Sequence, residues 1–212
     1  KINTFDTTFS PPKILGKNIC VYYFSSGTTA NPKLIKYSNQ AMISCQKILF
    51  KSKFLKPFSI HMCILPLGHT ASLRYTIKNA IIGVGKIYLY KNFWSIKKTF
   101  WKKIIKNKIN FIGVVPTILK TIFTLYKIRK NTIKSLNFFG CGSSILTEDL
   151  QKNFEKKFKS TIRNIYGMSE IGVATVDDTK KYNIYGTIGK PLKGVKIKLI
   201  NKNNKLIKKE NL

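Results

Sequence analysis

The sequence predicts an α/β fold of layered, largely parallel sheets with flanking helices, continued by the start of a smaller β subdomain. Three observations carry this expectation. Short β-branched or aromatic runs alternate with amphipathic stretches over residues 19–165, the succession that lays helices on a sheet. At 212 residues the chain can bury one sizeable core. From Tyr185 the texture changes, and Gly186, Gly189, Pro191 and Gly194 punctuate short segments.

Taken in order, residues 19–25 (ICVYYFS) read as a buried strand ending in a polar, Gly-containing loop. Ser38 is an N-cap candidate for a helix with Met42, Cys45, Ile48 and Leu49 at helical spacing. A strand over 60–65 is stopped by Pro66, and a second strand covers 86–90. Residues 94–106 read as a helix with Ile96, Phe100, Ile104 and Ile105 on one face. A strand over 111–115 leads into a helix that Pro116 opens and that runs to about Tyr126. Residues 136–139 form a strand, and Thr147 caps a helix to Phe158 with Glu148 and Asp149 in its first turn. After a strand over 162–165, Val195, Ile197 and Leu199 alternate with Lys196 and Lys198 as a half-exposed strand. The expected division is a nucleotide-binding part over 1–184 and a β subdomain beginning at 185–212. The start at Lys1 and the polar run over 201–212 read as cut ends.

The net charge of +31 points first to nucleic acid or an anionic surface. Its composition argues otherwise. Of 39 basic residues only Arg74, Arg129 and Arg163 are Arg, and Ile outnumbers Ala by 30 to five. That bias is what AT-rich coding DNA produces, whereas base reading favours the bidentate Arg fork. The lysines are scattered, as on a solvated surface, so no nucleic-acid partner is expected. Cys20, Cys45 and Cys63 lie in apolar stretches, as buried thiols of a reducing, cytoplasmic compartment would. His61, Cys63 and His69 match no zinc spacing. No apolar run is long enough for a membrane span.

Chemistry concentrates in a few strings. Residues 24–33 (FSSGTTANPK) deliver four hydroxyls, a Gly and a Lys into one loop, a cradle for phosphate oxygens with a mobile positive charge. It lacks the G-K-S/T ending of a Walker A loop, and an ordinary polar loop is the competing reading. Residues 164–170 (NIYGMSE) follow a strand with a flat aromatic, a Gly, a hydroxyl and a carboxylate, which suit a nucleotide and its metal. The competing reading is a strand-end turn with an incidental Glu.

The first string resembles the phosphate-binding signature of the adenylate-forming superfamily, which includes acyl-CoA synthetases. The resemblance implies that Ser25, Ser26, Gly27, Thr28, Thr29 and Lys33 hold the β- and γ-phosphates of ATP. Ala30 and Leu34 stand where that signature carries Gly. The second string is similar to the family's Y-G-x-S/T-E motif. By that likeness Tyr166 packs on the adenine beside Gly167, Ser169 contacts the α-phosphate, Glu170 binds Mg²⁺, and Asn164 reads the base. Gly142, Ser143 and Ser144 resemble the segment whose backbone borders the adenine, with Ile145 in place of Pro. Residues 65–69 (LPLGH) resemble the segment that sets a His near the acyl carboxylate, here His69, and a strand-end structural role is the alternative. Residues 186–191 (GTIGKP) with Gly194 resemble a later glycine segment of structural type. These five segments keep the family's order.

The resemblance implies attack of a small carboxylic acid on the α-phosphorus of ATP, release of pyrophosphate, and capture of the acyl-adenylate by coenzyme A. A carrier-protein phosphopantetheine is the alternative acceptor, and an acyl-carrier-protein ligase or an amino-acid-adenylating domain the alternative enzyme. The acid pocket is expected around His69, residues 111–116 and residues 168–174. With the C-terminal domain expected to be absent, the fragment alone is expected to be inactive. Two rivals stand outside this reading: a basic nucleic-acid-binding protein, which steep salt dependence would betray, and a non-catalytic nucleotide-binding remnant.

Overall fold

The computed structural model describes residues 10, 13–24, 33–52, 54–127, 133–177 and 184–207. The chain divides into two compact units, residues 1–44 and 45–212.

In the first unit β1 (Ile19–Phe24) pairs antiparallel with β2 (Leu34–Ser38). The strand expected at 19–25 is therefore present, but it is not buried: Tyr22 and Phe24 are exposed, and Tyr23 alone packs inward, edge-on to Tyr37. A two-stranded ribbon covers one face at most, which is why Cys20 is exposed rather than buried as expected. Helix α1 (Asn39–Lys51) starts where Ser38 predicts, the Ala41 amide donating to the Ser38 hydroxyl at 3.2 Å.

The second unit is built on a seven-stranded sheet in the order β4-β3-β5-β6-β7-β8-β9. Its strands are β3 (Ile60–Cys63), β4 (Lys86–Leu89), β5 (Phe111–Val114), β6 (Phe138–Gly142), β7 (Ile162–Met168), β8 (Gly172–Val176) and β9 (Lys190–Pro191). Strands β4 to β7 are mutually parallel, and β8 and β9 add antiparallel. Because successive side chains of a strand face opposite ways, each central strand feeds two cores. Met62, Ile112, Phe139 and Ile162 enter one, while Phe111, Phe138 and Ile165 enter the other. A strand apolar on both faces belongs in a covered parallel sheet.

Helices α3 (Phe100–Lys106), α4 (Pro116–Leu125) and α5 (Glu148–Phe158) cover the first face through Phe100, Ile104, Leu119, Ile122, Phe154 and Phe158. Each such buried side chain contributes roughly 1.5–3 kcal/mol relative to exposure. The other face receives Leu49 from the end of α1 and Tyr75 from a π-helical segment, Ser72–Ile77, that runs into α2 (Lys78–Ile82). Among the described residues no helix is long and apolar enough to cross a membrane.

Local rules explain the ends. Thr147 accepts the Leu150 amide at 3.4 Å, Glu148 and Asp149 occupy the first turn of α5, and Lys156 and Lys157 its last, matching the helix dipole. Pro116 opens α4. The helix expected over 94–106 is broken at Thr99 into a tighter 3₁₀ run, Trp94–Thr99, and α3. Ile96, Phe100 and Ile104 remain inward, but Ile105 is 52% exposed, since one further residue turns about 100° around an α-helix. The strand expected at 195–199 does not form a ladder. Ile197 and Leu199 are exposed, and the only pairing there is the Ile200–Leu206 bridge among the described residues.

Candidate active site

In a parallel sheet the loops after the strands' carboxyl ends share one rim, where ligands collect. Three of the expected segments meet on that rim. Residues 65–69 follow β3, residues 143–146 follow β6, and residues 166–170 end β7.

His69 is exposed and sits at the entry of the π-helical segment. Its Nδ1 accepts the Ala71 amide at 3.1 Å, and its carbonyl accepts the Ser72 amide at 3.1 Å. The ring is thus held as a cap, and in the neutral imidazole the proton is assigned to Nε2. Just before this turn, the Cys63 thiol donates to the Leu65 carbonyl at 3.7 Å, and burial raises its pKa. In β6, burial pushes the Cys141 thiol up to about 12. Both sulfurs stay protonated and structural. Cys45 is intermediate in exposure, less covered than its apolar setting predicts.

Gly142 pairs with Ile165 across the parallel ladder, so the 142–144 segment lies against the β7 end. Ser143 adopts a left-handed φ of 69°, and Ser143 and Ser144 are both exposed. Leu146, 4% exposed, anchors the loop in the core, whereas Ile145 is 86% exposed. Leu65, Tyr75, Gly113, Gly142, Ser143 and Ile165 line a small cleft here. A roomier cavity of about 360 Å³ includes Arg163 and Asp177, at the opposite end of β7 and β8, and holds none of the expected site residues.

Strands β7 and β8 form a hairpin whose turn carries Glu170, which is exposed. Tyr166 is 41% exposed, leaving ring surface for stacking. The register slips between Tyr166 and Gly167, and a Cβ on Gly167 would lie 2.1 Å from the Gly172 carbonyl oxygen. Only Gly allows the two strands that approach. Asn164 is buried, and its amide donates to the Thr187 carbonyl at 3.0 Å, tying β7 to the glycine segment. The residue that sequence reasoning missed is Arg74. Its Nη2 donates to the Ser169 carbonyl at 2.8 Å and its Nη1 to the Met168 carbonyl at 3.4 Å. The signal was available, since an Arg stands in an apolar stretch of a chain whose basic residues are mostly Lys.

Of the phosphate string, Lys33 is exposed immediately before β2. Ser25, Ser26, Gly27, Thr28 and Thr29 lie outside the described residues. No group of three or more His, Cys, Asp or Glu side chains able to hold a metal exists among the described residues. Glu170 nonetheless suits magnesium. That ion is ordinarily held by one or two carboxylates together with substrate phosphates and water, and an exposed carboxylate at a hairpin tip is open to such a set.

Comparison with known proteins bears on the family and the fold. The family model described as AMP-binding enzyme matches residues 3–211. A marinolic acid–CoA ligase from a Pseudoalteromonas species is 26% identical over 168 residues, 74% of this chain and 25% of that protein. An oxalate–CoA ligase from Saccharomyces cerevisiae is 22% identical over 208 residues, 97% of this chain and 37% of that protein. The chain thus spans a quarter to just over a third of the length of these relatives. The fold is that of ATP-bound MatB from Rhodopseudomonas palustris, with a TM-score of 0.84 at 20% identity over 95% of this chain and 39% of that one. With a family match over nearly its whole length and the same fold, the chain belongs to the AMP-binding enzyme family.

Proposed function

We propose that this chain carries the nucleotide-binding half-site of an AMP-forming acid–thiol ligase. A small carboxylic acid attacks the α-phosphorus of ATP, pyrophosphate leaves, and coenzyme A takes the acyl group from the adenylate. The observation that carries the reading is the gathering of residues 65–69, 142–144 and 166–170 at the carboxyl rim of one parallel sheet, in a chain of this family. The names of the relatives, acid–CoA ligases, favour coenzyme A over a carrier protein.

The chemical problem is repulsion between a carboxylate and a polyphosphate. Glu170 would hold magnesium, which would neutralise phosphate charge when bound. Tyr166 stacks on the adenine, Gly142, Ser143 and Ser144 border it, Asn164 and Gly167 shape its edge, and Ser169 donates to the α-phosphate. His69 turns Nε2–H toward the acid. The hydroxyl loop, Ser25, Ser26, Gly27, Thr28 and Thr29 with Lys33, holds the outer phosphates. Donors fixed before the reaction stabilise the charge that develops without reorganising.

ATP–pyrophosphate exchange by the protein that carries this chain, screened over short, medium and aromatic acids, tests the reading. Glu170→Ala is expected to lower magnesium-dependent exchange by at least about 100-fold. Exchange within a few-fold of wild type would remove the assigned metal role. ATP binding without exchange by any acid would instead identify a non-catalytic nucleotide binder.

A further inference from the structure

Arginine is scarce in this chain, three residues among 39 basic ones, and one of them is buried under the candidate site. Arg74 is 1% exposed, on the π-helical segment Ser72–Ile77, where Ser72 and Thr76 are also buried. Such segments are rare and concentrate at functional sites. Two donors of its fork reach two successive carbonyls, those of Met168 and Ser169. A lysine ammonium at that depth is a point charge that loses its hydration and offers no planar fork. The same turn is held from a second side, by the Cys45 thiol donating to the Ile171 carbonyl at 4.0 Å. A Cβ on Gly172 would lie 3.2 Å from the Cys45 sulfur and 3.5 Å from Arg74 Nη1. The β7–β8 turn is therefore seated on Arg74, with Cys45 beside it.

We propose that Arg74 is a positioning residue of the adenylation site. By gripping the Met168 and Ser169 carbonyls it fixes the direction in which the Ser169 hydroxyl and the Glu170 carboxylate face the nucleotide. It touches neither ATP nor the acid. This role rests on the reading of Ser169 and Glu170 under the proposed function.

The test is a graded series in the protein that carries this chain: Arg74→Lys, which keeps the charge, Arg74→Gln, which keeps one amide donor group, and Arg74→Met, which keeps only bulk. Pyrophosphate exchange is measured per folded molecule, with folding taken from circular dichroism. The expected result is a kcat reduced at least about 30-fold in Lys and Met and less in Gln, with the KM for ATP within about three-fold of wild type. The magnesium concentration for half-maximal exchange rises in the same order. A purely structural arginine predicts lost folded fraction with kcat and magnesium requirement unchanged, and that result overturns the proposal, as does full rescue by Lys. The Gln variant keeps the series readable if Met does not fold. No exchange by the wild-type protein would overturn the functional reading itself, whereas wild-type exchange with indifferent Arg74 variants overturns the positioning role alone.

Discussion

On β3, His61 is 1% exposed and its ring centroid lies 5.1 Å from that of Phe111. Burial lowers its pKa from 6.5 to about 4. Between those values the unfolded chain binds a proton that the folded chain refuses, so stability falls as pH drops through that window and is constant in this respect above it. The loss amounts to about 3 kcal/mol at most. Thermal unfolding from neutral pH to pH about 4.5 should therefore show a smaller drop in Tm for His61→Leu than for wild type, and parallel curves would contradict it. At this scale the sequence was only partly readable. The placing of Tyr166, Gly167 and Glu170 at a strand end followed from local pattern. The partners of Asn164 and Arg74 did not, because Thr187 and Ser169 lie 23 and 95 residues away in the chain, and no local rule reaches that far.

Among the elements, α5 was legible end to end, since its cap, first-turn acids and last-turn lysines are all local signals. Thr147→Ala should cost roughly 0.5–1 kcal/mol in urea unfolding, with Thr147→Ser close to wild type. An unchanged midpoint in the Ala variant would mean the Thr147 hydroxyl contributes nothing to the helix. Strands that exist only through a partner were harder. β2, β8 and β9 gave no separate signal, because their pairing is antiparallel addition to β1, β7 and β8. The reverse error occurred at residues 195–199, where alternation was present but a ladder partner was not found among the described residues. Alternation states which faces a strand would show, and a neighbouring strand decides whether it forms.

For the molecule as a whole, eight acids face 39 basic residues, so most cations have no acid to pair with; Lys152 with Glu148 is one pair that forms. Self-repulsion should thus weaken the folded state at low ionic strength. Raising sodium chloride from about 20 to about 300 mM shortens the screening length several-fold and should raise Tm. A fall in Tm would show that attractive pairs dominate after all. The overall architecture, a mostly parallel sheet covered on both faces, was readable because it depends on the period of apolar residues, which the lysine-rich composition leaves untouched.

The φ of 69° at Ser143 has a bearing on what a skewed composition can reach. In the loop after β6, which lies against the end of β7, the contour is drawn by main-chain torsion, and peptide amides are the same whatever codons a genome prefers. A bias toward lysine and isoleucine alters side chains and leaves those amides as they are.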